Sequence, residues 1–217
     1  MKLVLFDCDG TLVDSQNAIA AAMDEAFGAQ RLASPGRANT LSIVGLSLPE
    51  AIAALAPSQP TAMQVRLAEG YRAAAQRIRL AHAEDPLFPG ADNAVRVLAA
   101  RAETLLGTAT GKSRRGVERM IAHQKWDGLF ATLQTADDNP SKPNPGMILR
   151  AMAETGASAA DTAMIGDTTF DMAMARAAGV RAIAVTWGYH PVADLRAAGA
   201  NDVVETFEQL LASSCWR

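Results

Sequence analysis

Five short apolar runs alternate with stretches of helical periodicity along most of this chain, and that alternation narrows the folds open to it. KLVLF (2–6), ETLLGTA (103–109), DTAMIG (161–166), VRAIAVT (180–186) and the weaker NDVV (201–204) read as strands. Helical patterns fill the intervals near 90–101, 113–124, 144–155, 170–178 and 206–213. Strands spaced by helices predict crossover units, and therefore an α/β core with a parallel sheet covered on both faces.

One segment breaks the rhythm. From Ser15 to Glu84 the chain is Ala-rich and helical in period, with no convincing strand, and is punctuated by Gly28, Pro35-Gly36, Pro57 and Pro60. It predicts a helical domain (15–84) inserted into a core made of 1–14 and 85–217. LFPG marks the return, with Pro89-Gly90 opening the next core helix. A length of 217 residues accommodates two unequal domains.

Composition removes several classes of function. Apolar residues at 49% and charged residues at 20% suit a globular protein, and a net charge of -3 gives no basic footprint for nucleic acid. Two cysteines, Cys8 and Cys215, cannot build a disulfide framework or a Cys-rich zinc site. The apolar run before Asp7 is too short for a signal segment or a membrane span, so the cytoplasm is the expected location and a membrane is not an expected partner. Oligomeric state is not readable.

Ligands of open parallel sheets bind beyond the carboxyl ends of the strands, so the polar residues there carry the functional reading. The first run ends in Asp7-Cys8-Asp9, the second leads into Thr110-Gly111-Lys112-Ser113, and the third ends in Gly166-Asp167-Thr168-Thr169-Phe170-Asp171. Ser141-Lys142-Pro143 precedes a helix. Four acids, a hydroxyl and an ammonium would thus converge on one edge. Two carboxylates bracketing Cys8 repel each other unless a cation lies between them. Clustered carboxylates suit a hard dication such as Mg²⁺, which prefers oxygen donors. A carboxylate facing the open position can attack phosphorus, and a nearby lysine and hydroxyl can hold phosphoryl oxygens.

DCDGT (7–11), Thr110 after a strand, Lys142 in SKPNP and GDTTFD (166–171), in that order, resemble the four motifs of the haloacid-dehalogenase-like phosphatases. The insertion after the first motif is similar to the small helical cap of the phosphoglycolate phosphatase and beta-phosphoglucomutase branch. The resemblance spans nearly the whole chain and implies a Rossmann-like core with a helical cap. It also implies Mg²⁺-dependent hydrolysis of a small phosphorylated metabolite, with 2-phosphoglycolate the leading name, through an aspartyl-phosphate. By it, Asp7 is the nucleophile, Asp9 the acid and then the base, and Thr110 and Lys142 the phosphoryl holders. Asp7, Asp167 and the backbone carbonyl of Asp9 make the metal site, and Asp171 orients Lys142 or a metal-bound water. Many relatives read Thr-Asn-Lys where this chain reads Thr110-Gly111-Lys112, which bears on the substrate more than on the reaction.

Ordinary readings stand beside these. Asp9-Gly10 alone is a common turn, and the calcium-loop reading lacks its later acid. Gly107 lies one residue too close to Gly111-Lys112 for a P-loop. Thr110 can be a helix cap, Lys142 a surface lysine and Asp171 an acid at a helix N-terminus. His82, His123 and His190 have no metal-ligand spacing, and Cys8 should face away from its flanking aspartates into the core. Arg66, Arg72, Arg77 and Arg79 read as a solvated helix face from which Arg72 is the candidate substrate contact. Gly45 in the VGLS loop (44–47) is the other cap candidate. A beta-phosphoglucomutase-like mutase shares every core residue; a dehalogenase fits less well, since a departing halide needs no acid. A non-catalytic phospho-ligand binder or receiver-like module is the rival outside enzymes.

Overall fold

A computed structural model of the chain describes residues 1–81 and 84–213. His82 and Cys215 lie outside them. Six strands, β1 (Lys2–Phe6), β2 (Thr104–Thr110), β3 (Phe130–Thr135), β4 (Thr162–Gly166), β5 (Arg181–Val185) and β6 (Asp202–Val204), form one sheet. Its order is β3-β2-β1-β4-β5-β6, with every pairing parallel. The order reverses direction at β1, which puts the switch point of the sheet beside the residues that follow β1.

The ten α-helices described are α1 (Gln16–Ala29), α2 (Arg37–Leu41), α3 (Leu48–Leu55), α4 (Thr61–Ala81), α5 (Ala91–Ala99), α6 (Arg114–Gln124), α7 (Gly146–Thr155), α8 (Thr169–Ala178), α9 (Val192–Ala198) and α10 (Phe207–Ala212). β1 shows how the sheet is held. Its side chains alternate, so Val4 and Phe6 pack with α5, α6 and α10 residues such as Val95, Val117 and Phe207 on one face. Leu3 and Leu5 pack with Ile148, Met172 and Leu195 from α7, α8 and α9 on the other. Both faces are buried, as all-parallel sheets require.

α1 to α4 carry a smaller core of their own, in which Met23, Phe27, Ile52 and Leu67 meet. The chain leaves and re-enters the sheet side by side: Asp14 N–H donates to Pro86 O at 2.8 Å and Phe88 N–H to Leu12 O at 3.0 Å. Among the described residues no helix is long and apolar enough to cross a membrane.

The expected strands and core helices stand within a residue or two of their reading, with two omissions. β3 was not foreseen, because FATLQT mixes polar and apolar residues at a sheet edge; Thr132 and Gln134 turn toward Glu154 of α7 instead of an apolar layer. α9 was missed because seven residues are too few to show a helical period.

Gly107 in β2 is a packing necessity. A Cβ there would stand 2.6 Å from Thr132 Cγ2 and 2.7 Å from Leu5 Cδ2. Gly107→Ala should therefore destabilise the fold by about 1–3 kcal/mol through overpacking. A urea denaturation midpoint equal to that of the unchanged protein would refute this.

Candidate active site

β1 delivers Asp7 and Asp9 to the carboxyl edge of the sheet. The strand pairing runs one residue past its end, since Asp7 N–H donates to Ile165 O at 2.9 Å. The chain then turns tightly, with the N–H groups of Thr11, Leu12 and Val13 all directed at Cys8 O. The turn needs Gly10, which has φ of +86° and whose missing Cβ leaves room for the Asp167 carboxylate. Cys8 is fully buried in the core, as its alternation predicts, and burial pushes its thiol pKa up to about 12.

β4 delivers Asp167, and α8 delivers Asp171. Thr168 caps α8 with a reciprocal box: its hydroxyl meets Asp171 N–H, and the Asp171 carboxylate accepts from Thr168 N–H at 3.0 Å and from its hydroxyl at 2.7 Å. Asp171 Oδ1 also accepts from Lys142 Nζ at 2.6 Å. It is both the helix-terminal acid and the partner of the lysine. Lys142, approached from the loop after β3, is fully buried with its Nζ 3.0 Å from Asp7 Oδ2. That Asp7 oxygen has the charge beside it yet accepts no hydrogen bond. Asp167 is fixed by the Thr11 hydroxyl at 2.8 Å and the Tyr189 N–H at 2.9 Å.

One oxygen each from Asp7, Asp167 and Asp171 lies within 4.8 Å of the others. Burial raises the pKa of Asp7 to about 6 despite Lys142, and burial with repulsion from Asp171 and Asp7 raises that of Asp167 well above the usual carboxylate range. Burial lowers the pKa of Lys142, but Asp171 and Asp7 more than reverse it, so the ammonium stays charged. Three buried carboxyl groups face one ammonium, and one of their oxygens is without a hydrogen bond. That deficit of positive charge, with an all-oxygen donor set, fits a hard dication of the Mg²⁺ type.

Asp9 stands apart from this cluster. Its carboxylate accepts from Lys112 Nζ at 2.6 Å and from the Ser15 hydroxyl at 2.7 Å. Burial alone would raise its pKa, yet Lys112 first and Ser15 after it bring it below the usual value. As a metal ligand, Asp9 would have to offer its backbone carbonyl, because its side chain is already engaged. Thr110 ends β2 and is buried. It is not the cap of α6, a role taken by Ser113, whose side chain accepts from Gly116 N–H at 3.3 Å.

Asp7, Asp9, Thr110 and Gly111 line one cavity of about 820 Å³ that also reaches Gly45 and Arg72 of the inserted helices. Gly111 is the point of contact between the two parts: a Cβ there would come within 2.5 Å of Leu46 O and 2.7 Å of Gly45 O. The departure from Thr-Asn-Lys is thus matched by a loop whose backbone occupies the side chain's place. Gly45 has φ of +102° and faces Thr168. Arg72 is exposed on the cavity rim. His123 also reaches the cavity. His190 lies at α8, where its Nδ1 accepts from Thr169 N–H at 3.2 Å, and burial lowers its pKa.

Sequence reading passed over Lys112, Ser15, Thr11 and Tyr189. Lys112, two residues beyond a strand end, figures in the strand-edge, P-loop and Thr-Asn-Lys comparisons without a role of its own. Thr11 and Tyr189 act through contacts that depend on which strands are neighbours, while Ser15 reaches back across the turn to Asp9, six residues before it.

Comparison with known proteins finds relatives along nearly the whole chain. The family model for haloacid dehalogenase-like hydrolases matches residues 4–185. A protein named probable phosphatase IndB of Dickeya dadantii (strain 3937) is 34% identical over 98% of this chain and 93% of its own length. A phosphoglycolate phosphatase of Rhodospirillum rubrum is 30% identical over 96% of this chain and 89% of its own. The crystal structure of a hydrolase from Pseudomonas syringae superposes with a TM-score of 0.86 at 26% identity, covering 98% of this chain and 97% of that one.

Removing the ammonium from this cluster strands buried charge. Lys142→Met should cost about 3–5 kcal/mol of folding stability. Equilibrium urea denaturation of the metal-free protein measures it, and a loss below about 1 kcal/mol would mean the ion pairs are not buried as described.

Proposed function

The chain belongs to the haloacid dehalogenase-like hydrolases, and from that premise we propose that it is a Mg²⁺-dependent cytoplasmic phosphatase. Its substrate is a small phosphorylated metabolite of the phosphoglycolate kind, and neither nucleic acid nor membrane is a partner. The observation that carries the reading is Asp7: buried at a sheet switch point, charged lysine at 3.0 Å, one oxygen free of hydrogen bonds at the edge of a cavity. A carboxylate so placed is positioned to form a bond.

In the first half-reaction the free oxygen of Asp7 attacks phosphorus and the ester bond breaks. The departing oxygen takes a proton from Asp9. In the second half Asp9, now a carboxylate, takes a proton from water, whose oxygen displaces Asp7 from phosphorus and releases phosphate. Lys142 and Thr110 hold the phosphoryl oxygens and meet the charge they gather. Asp171 keeps Lys142 charged and aimed. Lys112 and Ser15 favour the ionised form of Asp9, the form that activates water. A phosphoryl dianion arriving beside it competes for Lys112 and repels the carboxylate, and both effects favour the proton Asp9 needs for the first half.

Asp7, Asp167 and the Asp9 backbone carbonyl are the groups to hold Mg²⁺, with Asp171 behind them. The ion, when bound, supplies electrostatic stabilisation of the transferring phosphoryl group. Residues 15–84 act as a cap. Ser47 N–H donates to Ser141 Oγ at 2.8 Å beside Lys142, and Leu46 lies on Gly111 beside Thr110, so the cap loop covers both phosphoryl-holding residues. Covering excludes water and restricts the site to small substrates.

Phosphate release from p-nitrophenyl phosphate should require Mg²⁺. Asp7→Asn should lower it by about a thousandfold or more while the circular dichroism spectrum stays unchanged. Asp9→Asn should accept phosphate slowly and then stall as an acid-stable, hydroxylamine-sensitive acyl phosphate. Turnover by Asp7→Asn near the normal rate would end the nucleophile assignment.

A further inference from the structure

The cavity continues past the acids to a second, cationic wall. Arg79 near the end of α4 and Arg115 and Arg119 on α6 all line it. Arg119 meets Glu84 at 3.5 Å, with about a third of each side chain exposed. Among the described residues Arg79 and Arg115 form no ion pair. Asp85, the next acid along, also lines the cavity and feels Lys112, Asp9 and Glu84, but among the described residues no arginine pairs with it. Among the described residues Glu84 is the one carboxylate in ion-pair contact with any of these three guanidinium groups.

The three like charges also act on one another. Burial first, then repulsion from Arg119 and Arg115, lowers the pKa of Arg79, against attraction from Glu84. A helix face needing only solvation would point these residues apart, as Arg77 does: it pairs with Glu25 on α1 and does not line the cavity. Arg72 and Arg79, seven residues apart and so on one face of α4, both reach the cavity. The volume, about 820 Å³, also exceeds what a phosphoryl group on a two-carbon acid would fill.

We propose that Arg79, Arg115 and Arg119 form an anion subsite for the leaving group, so that the preferred substrate is a phosphomonoester carrying a second anionic group, a carboxylate or a phosphate. The subsite rests on the phosphatase reading of the same cavity. Guanidinium pairs bind carboxylate and phosphate alike through paired N–H donors, and a second anion supplies the missing countercharge. With groups from the inserted helices and from the core on either side, the same anion would draw the two parts together.

Two measurements separate this proposal from the reading beneath it. The ratio of kcat/KM for fructose 1,6-bisphosphate or 2-phosphoglycolate to that for p-nitrophenyl phosphate is taken with Mg²⁺. It should exceed the ratio for glycerol 2-phosphate about tenfold or more, and Arg79→Gln and Arg115→Gln should each cut it about tenfold. Arg77→Gln should leave it unchanged. Which substrate shows the larger effect tells whether the second group is a phosphate or a carboxylate. In the metal-free protein, fructose 1,6-bisphosphate should raise the melting midpoint more than inorganic phosphate does, and Arg79→Gln should abolish the difference. If p-nitrophenyl phosphate is hydrolysed but the ratios do not respond to the arginines, the subsite is refuted and the phosphatase reading stands. If nothing is hydrolysed but the arginine-dependent shift is present, the subsite stands and the phosphatase reading fails. Absence of the shift refutes the subsite in either case.

Discussion

A single ammonium, that of Lys142, sits fully buried between two carboxylates, 2.6 Å from Asp171 and 3.0 Å from Asp7. Groups from the end of β1, the loop after β3 and the first turn of α8 have to arrive together for that contact to exist. A buried ion pair is weak evidence for stability, since removing water from three charges costs about as much as their attraction returns. Its value is local. It fixes one Asp7 oxygen beside a positive charge while leaving that oxygen without a hydrogen bond, and replacing all three charged groups together by apolar ones would be easier to fold and chemically inert.

The two aspartates that open the catalytic edge are treated in opposite ways. Burial dominates at Asp7 and raises its pKa to about 6, while at Asp9 the neighbouring Lys112 and Ser15 outweigh burial and lower it. Two positions apart, they share one side of a strand-like exit with Cys8 behind them in the core, yet meet different partners, Lys142 at Asp7 and Lys112 with Ser15 at Asp9. Separate environments for paired acids are the usual physical basis for assigning one to nucleophilic and the other to proton-transfer work.

Much of this could be read before any coordinates. Asp7 and Asp167 are legible because parallel sheets gather ligands at their carboxyl ends, so a polar residue directly after an apolar run has a known destination, whereas Lys142, beyond the unannounced β3, is legible through the family resemblance. What escaped depended on neighbours in space. β3 alternates Thr132 and Gln134 with apolar residues and spends its polar side chains on Glu154, so no apolar run announced it. The Lys112–Asp9 pair joins residues 103 positions apart and follows from β1 lying next to β2, a fact that periodicity does not contain. For the same reason the cationic face of α4 could be seen as four arginines, but not which of them turn inward.

The glycine at position 111 ties these threads together. In a chain with Asn there, a side chain would fill the space over Thr110; here the Gly45–Leu46 backbone fills it, and a Cβ would meet two carbonyl oxygens. Specific recognition lost from the core loop has therefore to come from elsewhere in the cavity. Among the polar groups lining the rest of the cavity are the arginines of α4 and α6, contributed partly by the inserted helices. In the proposed reading, phosphoryl handling stays with the sheet edge. Discrimination moves to a wall assembled from two packing units, Arg79 on one and Arg115 and Arg119 on the other, where a charged leaving group binds best when both stand close.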